Sequence, residues 1–309
     1  MGAVVNIINY GAIIKDILIP GLNNIPDNQV LSYDAIAEYY DDPHYVGCIV
    51  GRYANRISGG LLNINTNTWF LSLNEINNNN HLHGGYQGFN KRVWNIDDTF
   101  STMAEAGVTL SRVSPHLEEG YPGNLNVGIT YILSNANELF IKYKAMTDQA
   151  TVINLTNHTY FNLSAGKRDI SSYLLSIKAD EYTPTNAQYI PDGHIEPVRN
   201  SIFDLRSHKK VGDFMHKIPT LNYCLNNKKE FKLVATLTDP QNKRSLEVRT
   251  TSPGLQLYCG NYLSGKFKPF SGICLEPHYY PNSPNQSEFP SALLLAGQVY
   301  DEITSYKFL

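Results

Sequence analysis

From Leu125 to Leu133, and again from Glu138 to Ala145, apolar and polar residues alternate with a period of two, and Ser134-Asn135-Ala136-Asn137 stands between the runs. Successive side chains of an extended chain leave opposite faces, so each run reads as a half-buried strand and the pair as an antiparallel hairpin. Leu139, Ile141 and Tyr143 then share one face. Shorter runs of the same kind recur at Val4 to Ile19, broken at Asn9-Tyr10-Gly11, and at Leu61 to Leu73, with Asn65-Thr66-Asn67 at the turn. They recur again at Tyr173 to Ile177, Phe231 to Asp239, Ser245 to Thr250 and Leu255 to Tyr258. The one helical signal before the middle of the chain is Ser32 to Asp42, with Ser32 or Asp34 as N-cap. Many short strands punctuated by Gly and Pro predict an all-β, antiparallel sandwich rather than alternating β and α units. No fixed-period repeat and no Pro/Ser-rich linker divides the 309 residues, so a single domain, 1–309, is expected.

Charged residues make up 17% of the chain and its formal net charge is −3, with no basic run interleaved with aromatics. That excludes a phosphate-backbone binder, and nucleic acid is not an expected partner. The four cysteines, Cys48, Cys224, Cys259 and Cys274, form no C-x-x-C pair, which suits free thiols in a reducing compartment. Lys15 and Asp16 interrupt the first apolar run before a signal-peptide core forms, and no segment reaches the length of a membrane span. A soluble cytoplasmic protein, monomer or homodimer, is the expectation.

Asn154-Leu155-Thr156-Asn157-His158-Thr159-Tyr160-Phe161-Asn162-Leu163 packs amides, hydroxyls and an imidazole into a run otherwise shaped like a strand. As one strand it puts Thr156, His158, Tyr160 and Asn162 on one face. The plain alternative is a core strand whose polar groups satisfy one another. Three overlapping glycosylation sequons, at Asn154, Asn157 and Asn162, fall in this run, which is a poor acceptor if half buried. Arg52 and Arg56, in Gly51-Arg52-Tyr53-Ala54-Asn55-Arg56-Ile57, share one face if that segment is a strand, as donors to hydroxyls or an oxyanion or as an exposed basic edge. His81 and His83, around Leu82, share a face in the same way; with His158 they make a three-histidine metal site or, better supported, hydrogen-bonding groups of a polar pocket. Glu276, ending an apolar strand and followed by Pro277, is placed for base work or for a rim salt bridge. Amides that donate and accept, and aromatic rings that stack on C–H faces, suit a carbohydrate.

Taken together the motifs resemble the aldose 1-epimerase (galactose mutarotase) family from about Ile7 to Phe308. They are GRYANRI at Gly51 to Ile57, HLHGG at His81 to Gly85, NLTNHTYFNL at Asn154 to Leu163, YTPTNAQYIPDG at Tyr182 to Gly193, PGLQLYCGNYL at Pro253 to Leu263 and GICLEPHYYPNSPNQ at Gly272 to Gln286. The resemblance implies a large antiparallel β-sandwich with an open cleft, without metal or cofactor, that interconverts the α and β anomers of free hexoses such as galactose and glucose. It makes Glu276 the catalytic base and His158 the catalytic acid. His83 is expected at the ring oxygen, Arg56 on the substrate and Gln256 beside the carboxylate, with Asn55 and Arg52 in support. Asn222 stands where the family usually has an Asp that binds sugar hydroxyls, and Asn282 where Asp is common; both bear on substrate preference. Ring opening needs a proton taken from the anomeric hydroxyl and another given to the ring oxygen. That calls for an ionised Glu276 and a protonated His158 near neutral pH. Alternatives are a hexose-6-phosphate 1-epimerase, with Lys91 and Arg92 as phosphate donors, and a sugar-binding or regulatory protein that has lost catalysis.

Overall fold

The computed structural model describes residues 2–21, 25–218, 220–226 and 229–309. Among these, the largest sheet has nine antiparallel strands, in the spatial order Lys209–Lys210, Leu174–Ile177, Lys232–Asp239, Arg244–Thr250, Val299–Phe308, Glu138–Thr147, Leu125–Ser134, Glu105–Ser114 and Asn95–Ser101. The predicted hairpin forms within it, with Leu133 opposite Leu139. Val299–Phe308 lies between Glu138–Thr147 and Arg244–Thr250, so the centre of this sheet joins strands far apart in sequence.

A second antiparallel sheet runs Tyr160–Phe161, Ile273–His278, Gly254–Tyr258, Thr220–Cys224, Glu181–Thr183 and Glu196–Pro197. Period-two alternation divides its residues between two environments. Leu221, Tyr223, Leu255, Leu257, Ile273 and Leu275 join Tyr131, Tyr143 and Tyr306 of the larger sheet in one buried core. The Tyr306 hydroxyl crosses that core to donate to the Leu275 carbonyl at 3.1 Å. Each large apolar side chain so buried contributes about 1.5–3 kcal/mol. The other face of the second sheet carries Asn222, Gln256, Cys274 and Glu276. The all-β expectation holds.

Ser32 to Asp42 departs from expectation: it yields a single 3₁₀ turn, Ile36–Tyr39, whose N-cap is Ala35. Side chains hold the segment instead of a helical ladder. The Tyr33 hydroxyl donates to Asp42 Oδ1 at 2.9 Å, and Asp42 accepts from the N–H groups of His44 and Val46. The four cysteines are free and buried. Among the described residues, no helix is long and apolar enough to cross a membrane.

Candidate active site

Three cross-strand pairings set four polar residues in a row: Thr183 opposite Asn222, Asn222 opposite Gln256, Gln256 opposite Glu276. Directly opposed residues project to the same face, so the row is a consequence of register. Tyr160 pairs with Cys274; carried two residues further, that register brings His158 beside Glu276. His158 Nε2 is 3.8 Å from Glu276 Oε1. Glu276 does not end its strand, contrary to expectation, but lies inside Ile273–His278, with Pro277 opposite Leu255. On the other side Tyr160–Phe161 reaches Cys274 and Ile273 of this strand and stops short of Pro277, which therefore has no ladder neighbour there to deprive of a donor.

Asn154 to Leu163 is not one strand. Thr156–Asn157 pairs with Ile49–Val50, Tyr160–Phe161 pairs with Ile273 and Cys274, and the chain changes partner at His158. Residues 154–163 are all buried, so Thr156, His158, Tyr160 and Asn162 do not form one face of a single strand. The asparagines are staples. Asn154 donates to the carbonyls of Ala54 and Tyr279 and accepts from Tyr279 N–H, tying the GRYANRI loop to the end of the Glu276 strand. Asn157 donates to Gly47 O at 2.8 Å, and Asn162 to the carbonyls of Arg168 and Ser271. At 1% exposure or less, none of the three offers a glycosylation site. His158 and Tyr160 are the members of this run that line the pocket.

The opposite wall comes from Arg56–Ser58, paired with Asn80–Leu82. Arg52 does not share a face with Arg56, because the chain between them is not extended: Asn55 has φ +67°. Arg52 is 1% exposed and donates to Ser114 and to the carbonyls of Pro122, Gly123 and Pro115. It frames loops and does not reach the pocket. His81 and His83 also part company, since His83 has φ +52°. His81 contacts the Ser72 carbonyl through Nδ1 and the Tyr121 hydroxyl through Nε2, both short bonds inside the core. His83 turns into the pocket, its Nδ1 accepting from Asn55 N–H at 3.2 Å, which leaves Nε2 as the donor of a neutral ring. Gly84 makes this fit possible. At φ +86°, a Cβ there would lie 1.9 Å from the Gly51 carbonyl oxygen.

Arg56, His83, Asn55, His158, Gln256 and Glu276 line one pocket of about 180 Å³. Arg56 gives two parallel bonds to Glu75, Nε to Oε2 at 3.0 Å and Nη2 to Oε1 at 2.7 Å, and its guanidinium packs over the Tyr189 ring. Burial works against the Glu75 charge, but Arg56 overrides it and holds the carboxyl below the usual range. Asn222 is in the row but not in the lining. It is 1% exposed, its Nδ2 donates to Thr183 Oγ1 at 3.3 Å, and its Oδ1 is buried without a partner. Asn282 bears on framing rather than on the sugar, its Oδ1 accepting from Ser58 N–H and Asn285 Nδ2. Lys91 and Arg92 do not line the pocket, and Arg92 is paired with Glu118. Tyr45, Tyr189, Tyr258 and Tyr262, which also line it, were not singled out from sequence. With 21 tyrosines in the chain, only a place inside a matched motif could have marked Tyr189, Tyr258 and Tyr262, and Tyr45 lies in none of the motifs.

Burial dominates the electrostatics. It raises the Glu276 carboxyl to about 8 and lowers the His158 imidazole to about 4. Burial, then the charge of His158, lowers His83 as well. Burial therefore favours neutral Glu276 and neutral His158 at pH 7, the reverse of the protonation expected from sequence. The physical reason is that both groups leave water together, and neither gains a full counter-charge at 3.8 Å. Among the described residues, the one group of potential metal ligands is His158, Cys274 and Glu276, with donor atoms within 4.8 Å of one another. The trio of His81, His83 and His158 does not assemble, because both His81 nitrogens are engaged elsewhere.

A carboxyl and an imidazole line one small pocket on the outer face of a β-sandwich, and the chain belongs to the aldose 1-epimerase family, whose sequence profile matches residues 1–307. Human galactose mutarotase is 37% identical over 317 residues, covering 98% of this chain and 90% of that protein. The aldose 1-epimerase of Escherichia coli K12 is 32% identical over 326 residues, covering 100% and 92%. Among solved structures, a GalM/aldose epimerase homologue from C. elegans superposes with a TM-score of 0.91 at 25% identity, covering 100% of this chain and 96% of that one. Galactose 1-epimerase from Lactobacillus acidophilus gives 0.88 at 28%, covering 100% and 91%. The protein is thus a mutarotase, an isomerase acting on sugar.

Proposed function

We propose that the substrate is a free aldohexose, galactose or glucose, and that Glu276 and His158 exchange protons with its anomeric centre. The carrying observation is the 3.8 Å between Glu276 Oε1 and His158 Nε2 inside a sugar-sized pocket. The anomeric and ring oxygens share one carbon, so the groups that serve them have to be neighbours. Glu276 takes the proton of the anomeric hydroxyl, the C1–O5 bond breaks, and O5 takes a proton from His158. The aldehyde turns about C1–C2 and recloses with both transfers reversed.

The burial shifts fit this cycle. Before ring opening the pair is carboxylate and imidazolium; after it, carboxylic acid and neutral imidazole. Both forms hold one proton between them, and the desolvated pocket favours the second. Ring opening therefore runs toward the protein state that burial stabilises, while Arg56 and the His83 Nε2–H steady the ring oxygen or the open-chain carbonyl. Gln256 faces the sugar beside Glu276, and Asn55 orients His83. Asn222 supports the row from beneath, outside the lining, with its Nδ2 on Thr183 Oγ1.

Free sugar is favoured over a 6-phosphate because Arg56 is the one lysine or arginine among the lining residues and is already paired with Glu75. The lining comes from one chain of residues 1–309, read as a single domain, so monomer and homodimer serve alike; four free cysteines suit the cytoplasm. Polarimetry on fresh α-D-glucose and α-D-galactose tests the reading. Faster approach to anomeric equilibrium is the expected result. Binding without acceleration would make this a sugar sensor, and acceleration of glucose 6-phosphate alone would move it to the phosphorylated class.

A further inference from the structure

The segment from Thr185 to Pro191 is a tight loop closed by a bridge between its ends. Its bonds converge on Asn186: the carbonyl accepts from Tyr189 N–H at 3.0 Å, and Oδ1 accepts from the N–H groups of Gln188 and Ile190 at 2.9 and 3.1 Å. At the tip stands Tyr189, with φ +59°. A bulky aromatic in the left-handed region is strained where Gly or Asn would sit at ease, and such strain persists where the surroundings hold it for a purpose.

Here it fixes the ring between two walls of the pocket. On one side the Arg56 guanidinium, clamped by Glu75, lies 5.2 Å from the Tyr189 ring centre. On the other, the Tyr189 hydroxyl is 2.5 Å from the Tyr262 hydroxyl. Tyr262 is anchored in turn. Its N–H donates to the Tyr258 hydroxyl at 3.1 Å, the two rings stack at 6.4 Å, and Tyr258 meets His158 edge-on at 6.3 Å. Glu75, Arg56, Tyr189, Tyr262, Tyr258 and His158 thus form a continuous line around the pocket. Tyr189 and Tyr262 both line it; Tyr262 is exposed and Tyr189 half-buried, so together they stand where it meets the outside.

We propose that the joined phenols of Tyr189 and Tyr262 form a strap across the rim that limits the pocket to one unsubstituted pyranose, making both tyrosines specificity-determining against reducing oligosaccharides. The proposal rests on the mutarotase reading. A reducing disaccharide presents the same anomeric centre as a free hexose, and proton transfer at C1 is indifferent to a ring linked through O4 or O6. Steric selection at the rim is what can tell them apart, and here a second ring meets two aromatic faces braced by the Arg56–Glu75 pair and by Tyr258.

The test is polarimetry on fresh α-D-glucose, on lactose (linked through O4) and on melibiose (linked through O6), with wild type, Tyr189→Gly and Tyr262→Phe. Wild type is expected to favour glucose over at least one disaccharide by roughly tenfold or more in kcat/KM. Tyr189→Gly removes the ring and suits the left-handed backbone, and should raise the disaccharide-to-glucose ratio roughly tenfold. Tyr262→Phe keeps the ring but loses the joining bond, and should raise the ratio by less. Because the readout is a ratio within one preparation, a general loss of activity cancels. Equal wild-type rates on all three sugars, or a ratio that Tyr189→Gly leaves unmoved, would overturn the strap while leaving the mutarotase reading intact. A wild type that does not accelerate glucose defeats that reading and the strap with it.

Discussion

His158 Nε2 stands 3.8 Å from Glu276 Oε1, with both side chains almost wholly withdrawn from water. Neither residue has a neighbour in sequence that would announce the other. Tyr160 pairs with Cys274, and that register extended by two residues sets His158 beside Glu276, although the chain has by then changed partner and His158 N–H donates to the Cys48 carbonyl.

The pH–rate profile follows from counting protons on this pair. With His158 lowered to about 4 and Glu276 raised to about 8, one proton resides on the pair between those limits. Carboxylate with imidazolium and acid with imidazole are then indistinguishable by titration. The kcat/KM for glucose should be bell-shaped, falling below about pH 4 as a second proton binds and above about pH 8 as the last one leaves. A profile centred at high pH, with no acid limb before unfolding and no fall above pH 8, would contradict the assignment.

Glu276→Gln and His158→Asn should each lower kcat by roughly 10²–10⁴-fold. Because the two groups pass one proton between them through the sugar, the double variant should be little worse than the poorer single one. Multiplicative losses in stopped-flow or polarimetric rates would mean that the two residues act independently.

Burial of Glu276 also has a stability signature, with a definite sign. Its folded value of about 8 lies above the 4.5 of an ordinary glutamate, so across that window the folded state holds a proton that the unfolded chain has released. Stability then falls as pH rises. His158 acts oppositely between about 4 and 6.5, where the unfolded chain binds the extra proton and stability rises with pH. The two slopes offset below 6.5 and leave Glu276 alone above it. At roughly 1.4 kcal/mol per pKa unit, Glu276→Gln should be more stable than wild type at pH 8 by a few kcal/mol, with the gap closing toward pH 4.5. Denaturant midpoints across pH measure this; a gap that does not change with pH would count against it.

The two arginines of the GRYANRI motif should separate cleanly. Arg56→Lys loses the two-point grip of Glu75 and should weaken sugar handling about tenfold, mostly in KM, with little effect on Tm. Arg52→Met removes the partner of several buried carbonyls and of Ser114, and should destabilise the fold by about 3 kcal/mol or more. Its folded fraction should keep the wild-type KM. Thermal unfolding together with Michaelis parameters distinguishes the two roles, and an Arg52→Met protein with intact Tm but raised KM would reverse them.

Sequence alone determined the alternation that makes strands at Leu125–Ser134, Glu138–Thr147 and Lys232–Asp239, since period two is a local property of side-chain direction. Its motifs, in order, also carried the family and the six residues that meet in the pocket. Which of the polar residues would be chemical and which structural was not legible. Asn154, Asn157 and Asn162 look as reactive as His158, and Arg52 as available as Arg56. Only the fold decides that the three asparagines and Arg52 satisfy buried backbone groups while His158 and Arg56 face the pocket. The reversed protonation of Glu276 and His158 is decided at the same level. A pKa depends on how much water is removed around a group, and that water is displaced by residues from every part of the chain at once.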